Sequence, residues 1–186
     1  MSSFYTEQEL KELGIQKIGK EVYISKKASI YSPDMIQIGD HVRIDDFCIL
    51  SGKIILGNYV HISAYSALYG KYGIEIDDFS GCSPRCTLLS ATDDFSGEYM
   101  INPMVPSEYT NVTGGAIKLK RFTQIGASSV VMPDCIIEEG AVTGAMTFVN
   151  KSLGEWSIYA GIPCRKIKDR KKDLMELYHK MDKKGK

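Results

Sequence analysis

The chain lacks an excess of charge of either sign, because 23 lysines and arginines face 23 aspartates and glutamates. No whole-molecule field draws it to nucleic acid or to an anionic membrane, so any anion site must be local. It also lacks an apolar stretch of the about 18 residues that a spanning helix needs, which excludes insertion into a bilayer by helices. The first residues hold no apolar run of the export-signal kind, and the cytoplasm is the expected compartment. Histidine is scarce: His41, His61 and His179 are too few and too scattered for a histidine metal centre, and no metal is expected. The five cysteines, Cys48, Cys82, Cys86, Cys135 and Cys164, are odd in number and spread out, which points to reduced thiols. Cys82 and Cys86 have no second ligand pair at zinc-like spacing and read as small buried residues.

What the sequence does have is a period of six. Aliphatic residues recur at Ile18, Ile24 and Ile30, slip by two at Pro33 and Asp34, and resume at Ile38, Ile44, Leu50, Leu56, Ile62 and Leu68. After a second slip between Lys71 and Gly73 the series continues through Ile76, Cys82 and Leu88. It returns beyond residue 115 as Leu119, Ile125, Val131, Ile137, Thr143 and Val149. A second column four residues later is small or β-branched, as at Val22, Val42, Cys48, Val60, Ser66, Ser80, Cys86, Thr123, Ser129, Cys135 and Thr147. Six is too long for a strand and wrong for a helix. It fits a prism of short strands, in which the aliphatic side chain points to the axis, the small one fills the corner, and the residues between face solvent. Three units close a triangular coil, and successive coils stack as parallel strands.

This reading divides 186 residues into 1–17, an N-terminal helix and lead-in; 18–154, the prism; and 155–186, a closing segment with a basic C-terminal helix. Thr6-Glu7-Gln8-Glu9 is a capping box for a helix ending near Gly14. Leu174, Leu177, Tyr178 and Met181 fall at helical spacing and form a packing stripe. The prism is broken at residues 93–115, "DDFSGEYMINPMVPSEYTNVTGG". A loop of that length in a compact fold is usually functional or disordered, and its aromatic and aliphatic content argues for the first.

The repeat resembles that of the hexapeptide-repeat acyltransferases. The resemblance implies an all-β solenoid, a left-handed parallel β-helix with a loop insertion and short terminal helices, assembled as a homotrimer with acyl-CoA between subunits. The closing stretch "GIPCRKIK" resembles that family's end signature. Read alone, the basic run there is a solvated helix start. On the resemblance, Arg165 and Lys168 would meet the coenzyme A phosphates, Asn150 and Lys151 would stand at the same groove, and the backbone at Ala127 and Ala145 would bond the pantetheine arm.

Sugar O-acetyltransferases of this fold carry a histidine where this sequence has Asp93. A hydroxyl nucleophile needs a positioned base, and an ordinary carboxylate, with a pKa near 3.9, serves poorly at neutral pH. An amine is already nucleophilic when unprotonated, and a carboxylate can bind, orient and deprotonate it. The stretches "ATDDFSG", "SGCSPR", "SKKASIY" and "VRIDDFCILSG" are similar to the N-acyltransferases of nucleotide-linked 4-amino-4,6-dideoxy sugars, of the dTDP-anthrose pathway type. That similarity implies acyl transfer, most simply of acetyl, from CoA to the sugar amine, for surface polysaccharide such as O-antigen or lipopolysaccharide. Ser83 would partner the thioester sulfur or the oxyanion, Asp93 or Asp94 would bind the amine, and Glu98 would assist in the loop. Outward Tyr65 and His61, the latter placed at a corner, are further substrate contacts. The rival is a sugar O-acetyltransferase using His61 or a carboxylate as base.

Overall fold

The computed structural model describes residues 3–184 and is a left-handed β-solenoid of about seven coils with a short helix at each end. Three strand stacks form the faces. The first runs through Lys17–Ile18, Ile36–Ile38 and Ile117–Leu119 to Ile136–Ile137. The second stacks Tyr23–Ile24, Arg43–Ile44, His61–Ile62, Gly81–Cys82, Gln124–Ile125, Val142–Thr143 and Ser157–Ala160, all parallel. The third stacks Ser29–Tyr31, Thr87–Leu89, Val130–Val131 and Phe148–Val149 with the first halves of two long strands, Ile49–Leu56 and Ala67–Ile76, which continue into the first face.

The aliphatic columns fill the axis. Ile24, Ile44, Leu50, Ile62, Leu68, Ile76, Leu88 and Ile125 are wholly buried, each lying on its counterpart in the next coil. Burying such a side chain is worth about 1.5–3 kcal/mol, and the stack repeats that gain at every coil. The column four residues on departs from expectation at the third corner. There it is not small: Ile36, Ile54, Ile74 and Ile117 pair in register and are 0, 0, 2 and 0 % exposed. The two-residue slips and the long insertion all fall at this corner, opening it enough to take an isoleucine. Ile54, four residues after Leu50, stands where the small corner column was expected and is instead a buried isoleucine.

The other corners turn through left-handed backbone at non-glycine residues. At the first corner these are Glu21, His41, Tyr59, Phe79, Phe122 and Trp156; at the second, Phe47, Tyr65, Arg85, Ser128 and Met146. L-residues pay about 1–2 kcal/mol for this conformation. Two contacts offset it. Most corner N–H groups bond a carbonyl of the preceding coil, as in Tyr59 to Asp40 and Phe79 to Asn58. The rings then stack along the first corner, His41 on Tyr59 at 4.5 Å, Tyr59 on Phe79 at 4.7 Å and Phe79 on Phe122 at 5.4 Å.

The open ends are plugged. Helix α1, Glu7–Glu12, has the capping box at Thr6 and Glu9 and presses Leu10 against the first coil. At the other end Ser157–Ala160 pairs antiparallel with a last strand, Arg165–Asp169. Helix α2, Leu174–Lys184, sets Tyr178 edge-on against Phe79 and Phe122, while Leu177 and Met181 of the same stripe stay exposed. No helix among the described residues is long and apolar enough to cross a membrane. All five cysteines are free and buried, and burial pushes the Cys48 and Cys135 thiols up to about 11.

Gly140 breaks the ladder because Trp156 lies over it, and a Cβ there would fall 2.4 Å from the indole at a φ of 70°. Gly140→Ala should lower stability by about 1–3 kcal/mol, read as a reduced urea midpoint with unchanged slope. A wild-type midpoint would contradict the stacking assigned to Trp156.

Candidate active site

Ser83 follows the second-face strand Gly81–Cys82, just before the second corner. Its N–H donates to Ile125 O at 2.9 Å, its carbonyl accepts from Ser66 Oγ at 3.1 Å, and its Oγ accepts from Gln124 Nε2 at 3.1 Å. Ala127 and Ala145 continue the line below it, each just before a corner residue, and the Ala127 carbonyl accepts from Met146 N at 2.7 Å. The line ends near the strand Arg165–Asp169, whose residues are all exposed. The basic run is therefore a strand and not the start of a helix. It is extended because it closes the second face by pairing with Ser157–Ala160. Arg165 and Lys168 project there, with Lys166 held by Asp169 at 2.7 Å. Asn150 and Lys151 are exposed on the far side of the third face, after Phe148–Val149.

Asp93 and Asp94 open the loop at the third corner, on a short antiparallel stem formed by Ala91–Thr92 and Thr113–Gly114. Tyr72 braces it, its hydroxyl donating to Val112 O at 3.1 Å. The two carboxylates differ in what holds them. Asp94 Oδ1 accepts from Ser96 N at 2.7 Å, and Oδ2 accepts from Asn111 Nδ2 at 2.8 Å, tying the loop's outgoing and returning arms. Hydrogen bonds from Ser96 and then Asn111 hold its carboxyl below the usual range, so it stays ionised and is a weak base. Asp93 makes no side-chain hydrogen bond to the described residues and lines a cavity of about 300 Å³ with Leu89, Ala91, Thr92, Phe95 and Val112. Glu98 is exposed further along the loop, its N–H donating to Ser96 Oγ. On either side of it the loop shows bare apolar side chains, Phe95 being 78 % and Met104 88 % exposed.

His61 is not at a corner. It lies within the second-face strand His61–Ile62, paired with Gly81–Cys82, and so stands one coil from Ser83. The left-handed corner residues on either side are Tyr59 and Tyr65, which leaves His61 on the flat face between them. Its Nε2 meets Asp45 Oδ2 at 2.8 Å, and Asp45 Oδ1 accepts from Arg43 Nε at 2.7 Å. Burial alone would raise the Asp45 carboxyl, but hydrogen bonds from Arg43 and His61 outweigh it and hold the group below its ordinary value. Tyr65 forms the corner beside Ser83's coil, stacked on Phe47 at 5.0 Å with the Arg85 guanidinium 5.6 Å from its ring. Among the described residues no group of three or more His, Cys, Asp or Glu is placed to hold a metal ion.

Ser83, His61, Tyr65, Ala127 and Ala145 thus share the second face and corner. Asp93, Asp94, Asn150 and Lys151 stand at the third. A face of five or six residues is roughly 17–20 Å wide at about 3.3 Å per residue, so one chain does not bring Ser83 to Asp93. Gln124 and Asn111, which hold Ser83 and Asp94, escaped the sequence reading. Both would emerge only on laying coil against coil with the loop cut out.

No family model matches the chain. A dTDP-4-amino-4,6-dideoxy-D-glucose acyltransferase of Escherichia coli is 42 % identical over 178 residues, 94 % of this chain and 93 % of that one. The chain belongs to this family of dTDP-amino-sugar acyltransferases. AntD, an N-acyltransferase from Bacillus cereus, has been solved with dTDP and 3-hydroxybutyryl-CoA; it is 51 % identical, with a TM-score of 0.96 over 99 % of this chain and 98 % of that one. A serine variant of AntD holds dTDP-4-amino-4,6-dideoxyglucose and coenzyme A, with a TM-score of 0.97 at 50 % identity over 99 % of this chain and all of that one. A hexapeptide-repeat acetyltransferase of Vibrio cholerae shares the fold at a TM-score of 0.63 and 16 % identity, covering 88 % of this chain and 76 % of that one.

The depressed Asp45 carboxyl stabilises the fold wherever it is ionised in both states, that is, above the unfolded value near 3.9, and loses that contribution as pH falls through the folded value. Asp45→Asn should therefore melt lower than wild type at pH 7, with the gap closing below about pH 4. An equal gap at both pH values would mean that packing, and not the charge beside Arg43 and His61, sets the difference.

Proposed function

We propose that this chain transfers an acyl group from acyl-CoA to the 4-amino group of dTDP-4-amino-4,6-dideoxyglucose, feeding surface-polysaccharide synthesis. The observation that carries the reading is the match along nearly the whole chain to AntD bound to that nucleotide sugar and coenzyme A. Asp93, unencumbered at the loop neck, takes the proton of the sugar ammonium. The freed amine attacks the thioester carbonyl directly, and the C–N bond forms to give a tetrahedral oxyanion. Its collapse breaks the C–S bond, the surplus proton on nitrogen passes to the departing thiolate, and no acyl-enzyme arises. Ser83 donates to the oxyanion or to the departing thiolate. Asp94 keeps the neck closed, and Arg165 and Lys168 meet the coenzyme phosphates.

The separation of Ser83 from Asp93 within one chain supports a site between subunits, with the second corner of one against the third corner of the next. A closed cyclic trimer has three such contacts. AntD variants in which a serine or an aspartate is replaced accord with a pair of those residue types at the chemistry.

Asp93→Asn should cut the rate of CoA release with the amino sugar by about a hundred- to ten-thousandfold while His61→Ala retains most of it. Loss confined to His61→Ala, with turnover only of the hydroxy sugar, would instead establish the O-acetyltransferase. Mixing Ser83→Ala and Asp93→Asn chains, each with only residual activity, after reversible dissociation should restore full activity to about a quarter of the sites, because a mixed interface can hold both intact residues. No recovery would place both residues in the site of a single subunit.

A further inference from the structure

Ser83 can partner a sulfur or an oxyanion only if its hydroxyl proton points away from the wall, and a hydroxyl rotates freely unless something fixes it. The side chain that does so comes from the next coil. Gln124 begins the second strand after the long loop stem, Gln124–Ile125, and pairs with Gly81. Its Nε2 lies 3.1 Å from Ser83 Oγ and 3.5 Å from the carbonyl of Ile125. A backbone carbonyl only accepts, so the amide must turn its NH₂ to this side, because the opposite flip would set oxygen against oxygen. The NH₂ has no acceptor role, and Ser83 Oγ is therefore the acceptor in this bond. With one lone pair so occupied, and with the Ser83 N–H and carbonyl already bonded to Ile125 and Ser66, the O–H is left to donate outward over the second face.

We infer that Gln124 is a positioning residue for acyl transfer, acting through Ser83 by making its hydroxyl an outward donor. The inference rests on the role proposed for Ser83. It gives the reaction a requirement that no residue near the loop supplies: a carboxamide one coil beyond the serine, with its nitrogen facing it. Gln124 is exposed and lies outside the buried core, so changing it leaves the prism's axis intact.

The test is a pair of variants in two backgrounds, with CoA release from acyl-CoA measured against dTDP-4-amino-4,6-dideoxyglucose. Gln124→Leu should lower kcat by about tenfold with KM for both substrates nearly unchanged, since the lost interaction is felt at the transition state. Gln124→Glu, ionised above about pH 4.3, turns an acceptor toward Ser83 and draws its proton inward, so it should be slower than Gln124→Leu at neutral pH. In a Ser83→Ala background neither change should slow the enzyme further. Equal losses in both backgrounds would overturn the inference and leave Ser83's role standing. Full activity of Ser83→Ala would overturn both. Melting temperatures near wild type for the Gln124 variants are part of the expectation, and a large drop accompanied by a matching loss in the Ser83→Ala background would mark a merely structural role.

Discussion

Each coil rests its isoleucine or leucine on that of the coil before, and everything else in the molecule depends on that contact. The stack sets the spacing at which backbone amides meet carbonyls, and it forces three turns per coil at fixed places. Those turns use left-handed backbone at residues such as Tyr59, Phe79 and Arg85, which isolated peptides would avoid. The conformation is tolerated because it is shared: each corner lies on another, ring on ring or N–H on carbonyl, so a cost at one position is offset by the next. Removing the axial column would leave nothing to hold the corners in line.

The outer surface inherits its order from the inner one. Because the columns are in register, residues dozens of positions apart become neighbours one strand spacing apart. Ser83 and Gln124 are 41 residues apart yet bond directly, and Asp94 and Asn111 meet across 17. A rigid wall of this kind places polar groups well without being able to wrap around a substrate. On the proposed function, enclosure comes from the loop and from a neighbouring subunit, which accords with a serine and an aspartate a full prism face apart.

This geometry also explains what could be read from the residues alone. The six-residue period announced the prism, since an axial position accepts only apolar groups, and the break at Asp93 marked the loop. Of the isoleucines of the third corner, Ile36 and Ile74 were hidden by the slips of two residues and Ile117 by the long insertion, while Ile54 falls in the column expected to be small. His61 was misplaced because counting from Ile62 fixes the coil but not the residue at which the backbone turns; φ decides that, and Tyr59 and Tyr65 give no glycine-like signal. Asp93 and Asp94 are indistinguishable in sequence. Only the amide of Asn111, arriving from the loop's far arm, separates a tether from a free carboxylate.

All the extra residues enter at one edge. The turn at Ser32, the two added residues after Gly70 in the strand Ala67–Ile76, and the twenty-odd residues after Thr92 share the third corner, while the other two keep nearly constant length. An insertion there leaves the stacked columns undisturbed, so chain growth at that edge is decoupled from folding. The molecule is in effect a fixed frame with a single adjustable seam. Lengthening, shortening or rewriting the seam changes that edge alone, while the stacked wall stays as it is.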